Sequence, residues 1–185
     1  MKYLLLLTGL FFRFCSANST NYIANGSFDL PVVPAYKSFI ACQATGWTGQ
    51  YFDLIWDQWL GRGQALDLQR GPGQNGYIEQ TVVLPNESYC NLSFYKQGKS
   101  TNYNSFVLGI YWNGQLIATE NTNTTLPTFH SQTVCGMQGN NNVRFQEKGN
   151  DSDYFGTIID DISLTCDAGS LCMNHSVQPQ TQPQP

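Results

Sequence analysis

Apolar residues in this chain recur at every second position, and no long stretch keeps the 3.6-residue period of an amphipathic helix. Side chains of a strand alternate between two faces, so the pattern predicts strands with one buried and one solvated side. Helical bundles and doubly wound α/β folds are excluded. Runs of this kind cover 25–30, 51–56, 64–69, 76–84, 88–96, 105–112, 115–120, 129–135, 143–147 and 157–165. The sharpest turn signal is Asn113-Gly114, a pair that accepts the two positive φ angles of a type I′ hairpin. Clusters at Gly61-Arg62-Gly63, at 70–76 and at 139–142 read as further turns. Many short strands separated by Gly and Asn predict an all-β sandwich. Trp47, Phe28, Phe94 and Phe145 fall on inward positions and are expected in its core.

Only 12% of the residues are charged, and 13 acidic against 9 basic residues give a net charge of −4. With no Lys/Arg run, the chain lacks the positive footprint that phosphate backbones require, so nucleic acid is not an expected partner. Residues 1–17 combine Lys2, an apolar run and the small-residue exit Cys15-Ser16-Ala17, the pattern of a cleaved secretory signal. That run is too short to span a bilayer. The expected organisation is a signal peptide over 1–17, a sandwich domain over 18–166, and a Cys-containing stub with a Pro/Gln-rich tail over 167–185.

An exported, extracellular location makes two kinds of modification relevant. Asn-x-Ser/Thr triplets stand at Asn18, Asn25, Asn86, Asn91, Asn123, Asn150 and Asn174. All but Asn25, whose triplet lies within an expected strand, are candidate glycosylation sites. Beyond the leader the cysteines are Cys42, Cys90, Cys135, Cys166 and Cys172, which in an oxidising compartment implies two disulfides and one odd thiol. The spacing suggests Cys90 with Cys135 and Cys166 with Cys172, leaving Cys42 free; Cys42 with Cys166 is the alternative. Zinc is not expected, because no cysteine pair has ligand spacing and His130 and His175 lie far apart.

Six segments in succession carry a resemblance: Asn25-Gly26-Ser27-Phe28-Asp29, Gly46-Trp47, Ala65-Leu66-Asp67-Leu68, Tyr77-Ile78-Glu79-Gln80-Thr81, Tyr89-Cys90-Asn91-Leu92-Ser93-Phe94 and Ile159-Asp160-Asp161-Ile162-Ser163-Leu164. Their order resembles the landmarks of galactose-binding-like jelly rolls, with secreted carbohydrate-binding modules and the plant cell-wall domain of unknown function 642 as the nearest types. It spans residues 25–165. The alternation puts Asp160 on one face with Ile158, Ile162 and Leu164, and a carboxylate on an apolar face needs compensation. The resemblance implies a structural Ca²⁺ held by Asp29 and Asp160 with backbone carbonyls, all hard oxygen ligands. Hydrogen bonds from backbone amides or a Tyr hydroxyl to Asp160 would compensate equally well.

Sugars present apolar C–H faces that stack on aromatic rings, and hydroxyls that bond Asn, Gln, Asp and Arg. Trp56, Tyr95, Tyr103 and Tyr111 lie off the core phase or in irregular segments, and Arg62, Asp67, Asn102 and Asn104 are the polar residues expected beside them. For catalysis the chain offers no Gly-x-Ser-x-Gly elbow, no His-Glu-x-x-His and no phosphate loop. The expectation is therefore a secreted, non-catalytic module that binds a cell-surface glycan or a matrix polysaccharide. The alternatives are a structural matrix or surface protein that contacts other proteins and, last, a small glycoside hydrolase using two of its carboxylates.

Overall fold

The computed structural model describes residues 20–34, 39–56, 63–99, 106–122, 124–149, 156–167 and 172. The expected leader and Pro/Gln tail lie outside them. The strands are β1 (Phe39–Ala41), β2 (Thr48–Gln50), β3 (Asp53–Trp56), β4 (Gln64–Asp67), β5 (Tyr77–Leu84), β6 (Ser88–Gly98), β7 (Val107–Trp112), β8 (Gln115–Asn121), β9 (Thr128–Gly136), β10 (Gly139–Glu147) and β11 (Thr157–Cys166). They form a six-stranded sheet in the order β1-β3-β4-β11-β6-β9 and a five-stranded sheet in the order β2-β5-β10-β7-β8. Every pairing is antiparallel. Among the described residues there is no helix.

The two sheets close over one apolar core. Ile78, Val82 and Leu84 of β5, Val143 and Phe145 of β10, and Leu108 and Ile110 of β7 meet Leu92 and Phe94 of β6 and Ile159, Ile162 and Leu164 of β11. Trp47 and Phe28 join them from the connecting loops, as the alternation predicts for Phe94 and Phe145. The Asn113-Gly114 hairpin is present with φ angles of 50° and 80°. Asn113 also ties it to β10, since its Oδ1 accepts the Asn142 N–H at 2.8 Å.

Several local expectations are corrected. Residues 25–30 form a loop instead of a strand, because Asn25 donates its side-chain amide to the carbonyls of Leu30 and Thr45 and accepts the Leu30 N–H, wrapping the chain on itself. This use of the amide leaves no room for a glycan at Asn25. The 139–142 segment belongs to β10, and the turn sits one step earlier, clasped by Asn141 on the N–H and C=O of Met137. β1 and β2, three residues each, are too short for a period to show.

The disulfides are Cys90–Cys166 and Cys135–Cys172, not the pairing the spacing suggested, and Cys42 is free and exposed. Register explains the difference. Cys90 stands opposite Val134 and Cys135 opposite Tyr89, so the two cysteines point to opposite sides of the sheet. On its other neighbour, β11, Cys90 stands directly opposite Cys166.

Asp160 is the last correction. A bulge between Asp160 and Ser163, with Asp161 at φ 50°, shifts the phase of β11. Ile159, Ile162 and Leu164 face the main core, whereas Ile158 packs with Ile55 and Ala65 on the outer side. Asp160 therefore shares the outer side with Ile158. It is nonetheless buried, and its Oδ1 accepts the Asp161 N–H at 2.7 Å.

Candidate functional site

Among the described residues, those expected to bind ligand do not gather on one surface. Arg62, Asn102, Tyr103 and Asn104 lie outside the described residues, as do Asn18, Asn123, Asn150 and Asn174. Trp56 closes β3 and is exposed, on the phase of Leu54. Tyr95 lies on the outer face of the six-stranded sheet, three strands or about 14 Å from β3, with its ring 5.3 Å from that of Phe129. Asp67 is on that face too, but buried: Lys99 Nζ approaches its Oδ2 at 2.7 Å and the Gln69 N–H bonds its Oδ1. Tyr111 projects from the other sheet.

The outer face of the five-stranded sheet carries a different assembly. Inward positions of β5, β10 and β7 are taken by the core, so Tyr77, Glu79, Arg144, Gln146 and Tyr111 face outward. The register aligns Glu79, Arg144 and Tyr111 in one row and Tyr77, Gln146 and Gly109 in the next. Arg144 lies over Tyr77, its Cζ 3.9 Å from the ring centroid and 5.9 Å from that of Tyr111, and its Nη2 donates to Gln146 Oε1 at 3.1 Å. Lys148, just past β10, holds its Nζ 5.9 Å from the Tyr111 centroid. Glycine at 109 makes this possible, because a Cβ there would meet Lys148 Cδ at 2.6 Å and the Tyr111 ring at 3.1 Å. The result is two aromatic rings around hydrogen-bonding and cationic groups, on strands that packing holds rigid. Tyr77, Arg144 and Gln146 were not singled out from the sequence. Their outward phase is legible in the alternation, but only the strand register brings them beside Tyr111.

Two carboxylates face each other on the six-stranded sheet, Asp53 of β3 and Asp67 of β4. Burial, then the Asp67 charge, pushes Asp53 up to about 6, against the pull of Arg70 and Lys99. Burial also raises Asp67. A carboxyl whose folded pKa is raised stabilises the fold at low pH and loses that contribution as pH rises from the unfolded value through about 6. Asp53→Asn is therefore expected to raise the melting temperature at pH 8 by roughly 2–4 °C and to do little at pH 4, the modest size reflecting partial solvent screening. Half-buried His130 gives the opposite slope, desolvation holding its imidazole below the ordinary value, so the measurement is the difference between Asp53→Asn and the parent in parallel thermal melts. A difference that does not change with pH overturns this assignment.

For the expected cation, Asp29 is exposed and its Oδ2 accepts the Ser27 hydroxyl at 2.7 Å, while Asp160 is buried as described. Among the described residues neither belongs to a group of three convergent His, Cys, Asp or Glu ligands. The one such group, Glu87 with Cys135 and Cys172, contains a disulfide and so offers no thiolate. These side chains alone fall short of the six to eight oxygens Ca²⁺ takes.

Comparison with solved structures decides the fold. TmCBM61 in complex with β-1,4-galactotriose matches with a TM-score of 0.57 and 14% identity, over 80% of this chain and 100% of that one. A native family 35 carbohydrate-binding module from Clostridium thermocellum matches with a TM-score of 0.51 and 19% identity, over 69% and 98%. The fold is a galactose-binding-like jelly roll. An enzymatically active domain of bacteriophage CBA120 tailspike protein 4 matches as well, with a TM-score of 0.52 and 14% identity, over 80% of this chain and 21% of that one. The match thus spans nearly the whole of the two modules and about a fifth of the tailspike domain. Comparison with protein-family models and with curated proteins finds no match.

Proposed function

We propose that this protein is a secreted, non-catalytic carbohydrate-binding module for a cell-surface glycan or matrix polysaccharide, and that the outer face of the five-stranded sheet is its binding surface. The observation that carries the reading is the grouping of Tyr77, Tyr111, Arg144 and Gln146 on adjacent strands. Rings of this kind stack on the C–H faces of a sugar while the polar groups between them bond its hydroxyls. The glycosylation triplets fit the same choice of face. Asn86 is exposed in the turn between β5 and β6, and Asn91 is exposed on the outer face of the six-stranded sheet. A glycan at Asn91 would cover that sheet and leave the five-stranded one open.

The test is a glycan array followed by calorimetry on the hits. Tyr77→Ala and Tyr111→Ala are each expected to weaken binding about 10- to 100-fold, the scale of an interface anchor, without shifting the thermal melt. Trp56→Ala and Tyr95→Ala probe the surface expected from sequence. If these two abolish binding and the first two do not, the face is misassigned. An array without hits overturns the reading itself.

A second reading, a matrix protein that uses the sandwich for protein contacts, rests on exposed, unpaired Cys42. Ca²⁺ at Asp29 and Asp160 belongs to the proposal as a structural ion, with backbone carbonyls completing its shell. A ligand bound only by the native state adds stability, so chelation is expected to lower the melting temperature and Asp160→Asn to abolish the difference. Identical melts with and without chelator remove the ion from the account.

A further inference from the structure

Five Lys and Arg residues lie among the described residues, and three of them have a carboxylate within ion-pair reach: Arg70 at Asp53, Lys96 at Glu120 and Lys99 at Asp67. The remaining two, Arg144 and Lys148, flank the same ring, Tyr111. In a chain of net charge −4, acidic partners are in excess, so two neighbouring cations with no carboxylate partner among the described residues stand out. Glu79 is directly across from Arg144 in the register, yet the pair forms no ion pair, because the guanidinium is folded over Tyr77 and bonded to Gln146. Glu147, next to Lys148 in the chain, points inward, and its oxygens are taken by the N–H groups of Val107, Gly149 and Thr157. Arg144 Nε is buried without a hydrogen-bond partner. With Nε buried and Nη2 on Gln146, the guanidinium is fixed in place over the ring as a preorganised positive charge for an oxyanion, and Lys148 holds a second ammonium 5.9 Å from the centroid of the neighbouring Tyr111 ring.

We infer that the ligand of this face is an acidic glycan, its anionic group meeting Arg144 and Lys148 while its ring stacks against Tyr77 or Tyr111. The inference rests on the proposed glycan-binding face and names its ligand class. Carboxylate and sulfate ester share the required chemistry.

Calorimetry on the glycoprotein at low salt compares three probes: neutral β-1,4-galactotriose, trigalacturonate and a sulfated galactotriose. At least one acidic probe is expected to bind 10-fold or more tighter than the neutral one, and which of the two does so identifies the group. The preference is expected to shrink at high salt, to vanish in Arg144→Gln and to be partly kept in Arg144→Lys, which retains the charge without the planar guanidinium and its bond to Gln146. Lys148→Gln, at an exposed position, is expected to reduce it with no change in the thermal melt. Equal or tighter binding of the neutral probe, still lost in Tyr77→Ala, overturns the acidic ligand and leaves the glycan face standing. Binding of none of the three, with an array also blank, overturns both.

Discussion

Replacing Trp47 with alanine is expected to cost about 3–5 kcal/mol and to leave the domain largely unfolded at physiological temperature. Trp47 is 6% exposed, with its ring 5.7 Å from Phe28 and 6.4 Å from Phe145, so it joins the loop over residues 25–30 to the floor of the five-stranded sheet. Truncation removes that contact and opens a cavity that two rigid sheets cannot collapse to fill. It also strips the Asn25 carbonyl of the Trp47 Nε1–H bond at 3.1 Å, leaving it only the Phe28 N–H at 3.2 Å. Urea unfolding measures the loss, with Trp56→Ala as the comparison, because that exposed ring can be removed with little effect on the fold. A loss under about 1 kcal/mol for Trp47→Ala, well below the usual cost of emptying a core site, overturns its role as the keystone of the core.

The same contrast between Trp47 and Trp56 shows how far sequence carries. Period-two alternation in 76–84 and 88–96 places Ile78, Val82, Leu92 and Phe94 inward, and the structure agrees because a strand buried on one side has no other solution. The Asn113-Gly114 turn is equally legible, since it depends on two adjacent residues. What escapes is everything set by register between distant strands. Cys90 faces Cys166 only because β6 and β11 are neighbours, and Arg144 meets Tyr77 and Tyr111 only because β10 lies between β5 and β7. Asp160 fails for a further reason. One extra residue in a bulge reverses the phase, and nothing in Ile159-Asp160-Asp161-Ile162 announces it. For the proposed site, the sequence points to outward aromatics as a class, Tyr111 among them, while the residues beside Tyr111 emerge only from the sheet.

Gly26→Ala is expected to destabilise the protein by about 3 kcal/mol or more, the upper range for forcing a group into a packed site. A Cβ at this position would lie 1.9 Å from the Ile162 carbonyl oxygen and 2.9 Å from its carbon, and both are backbone atoms that cannot swing aside as the end of a side chain can. The contact is close because the loop is bonded to the strand there: the Ile162 N–H donates to the Gly26 carbonyl at 2.9 Å, within the bulge in β11. Moving the loop away to admit a methyl group breaks this bond and pulls on Asn25, which holds Leu30 and Thr45, and through its carbonyl on Trp47. The glycine of the Asn25-Gly26-Ser27-Phe28-Asp29 segment is thus required by close approach of two backbones, the physical reason a glycine stands among those landmark residues. Gly114→Ala is the control. That glycine has open space around it but φ 80°, so its cost is confined to backbone strain, about 1 kcal/mol. Chemical unfolding of the two variants side by side is decisive, and a Gly26→Ala protein no less stable than Gly114→Ala removes the close approach from the account of the fold.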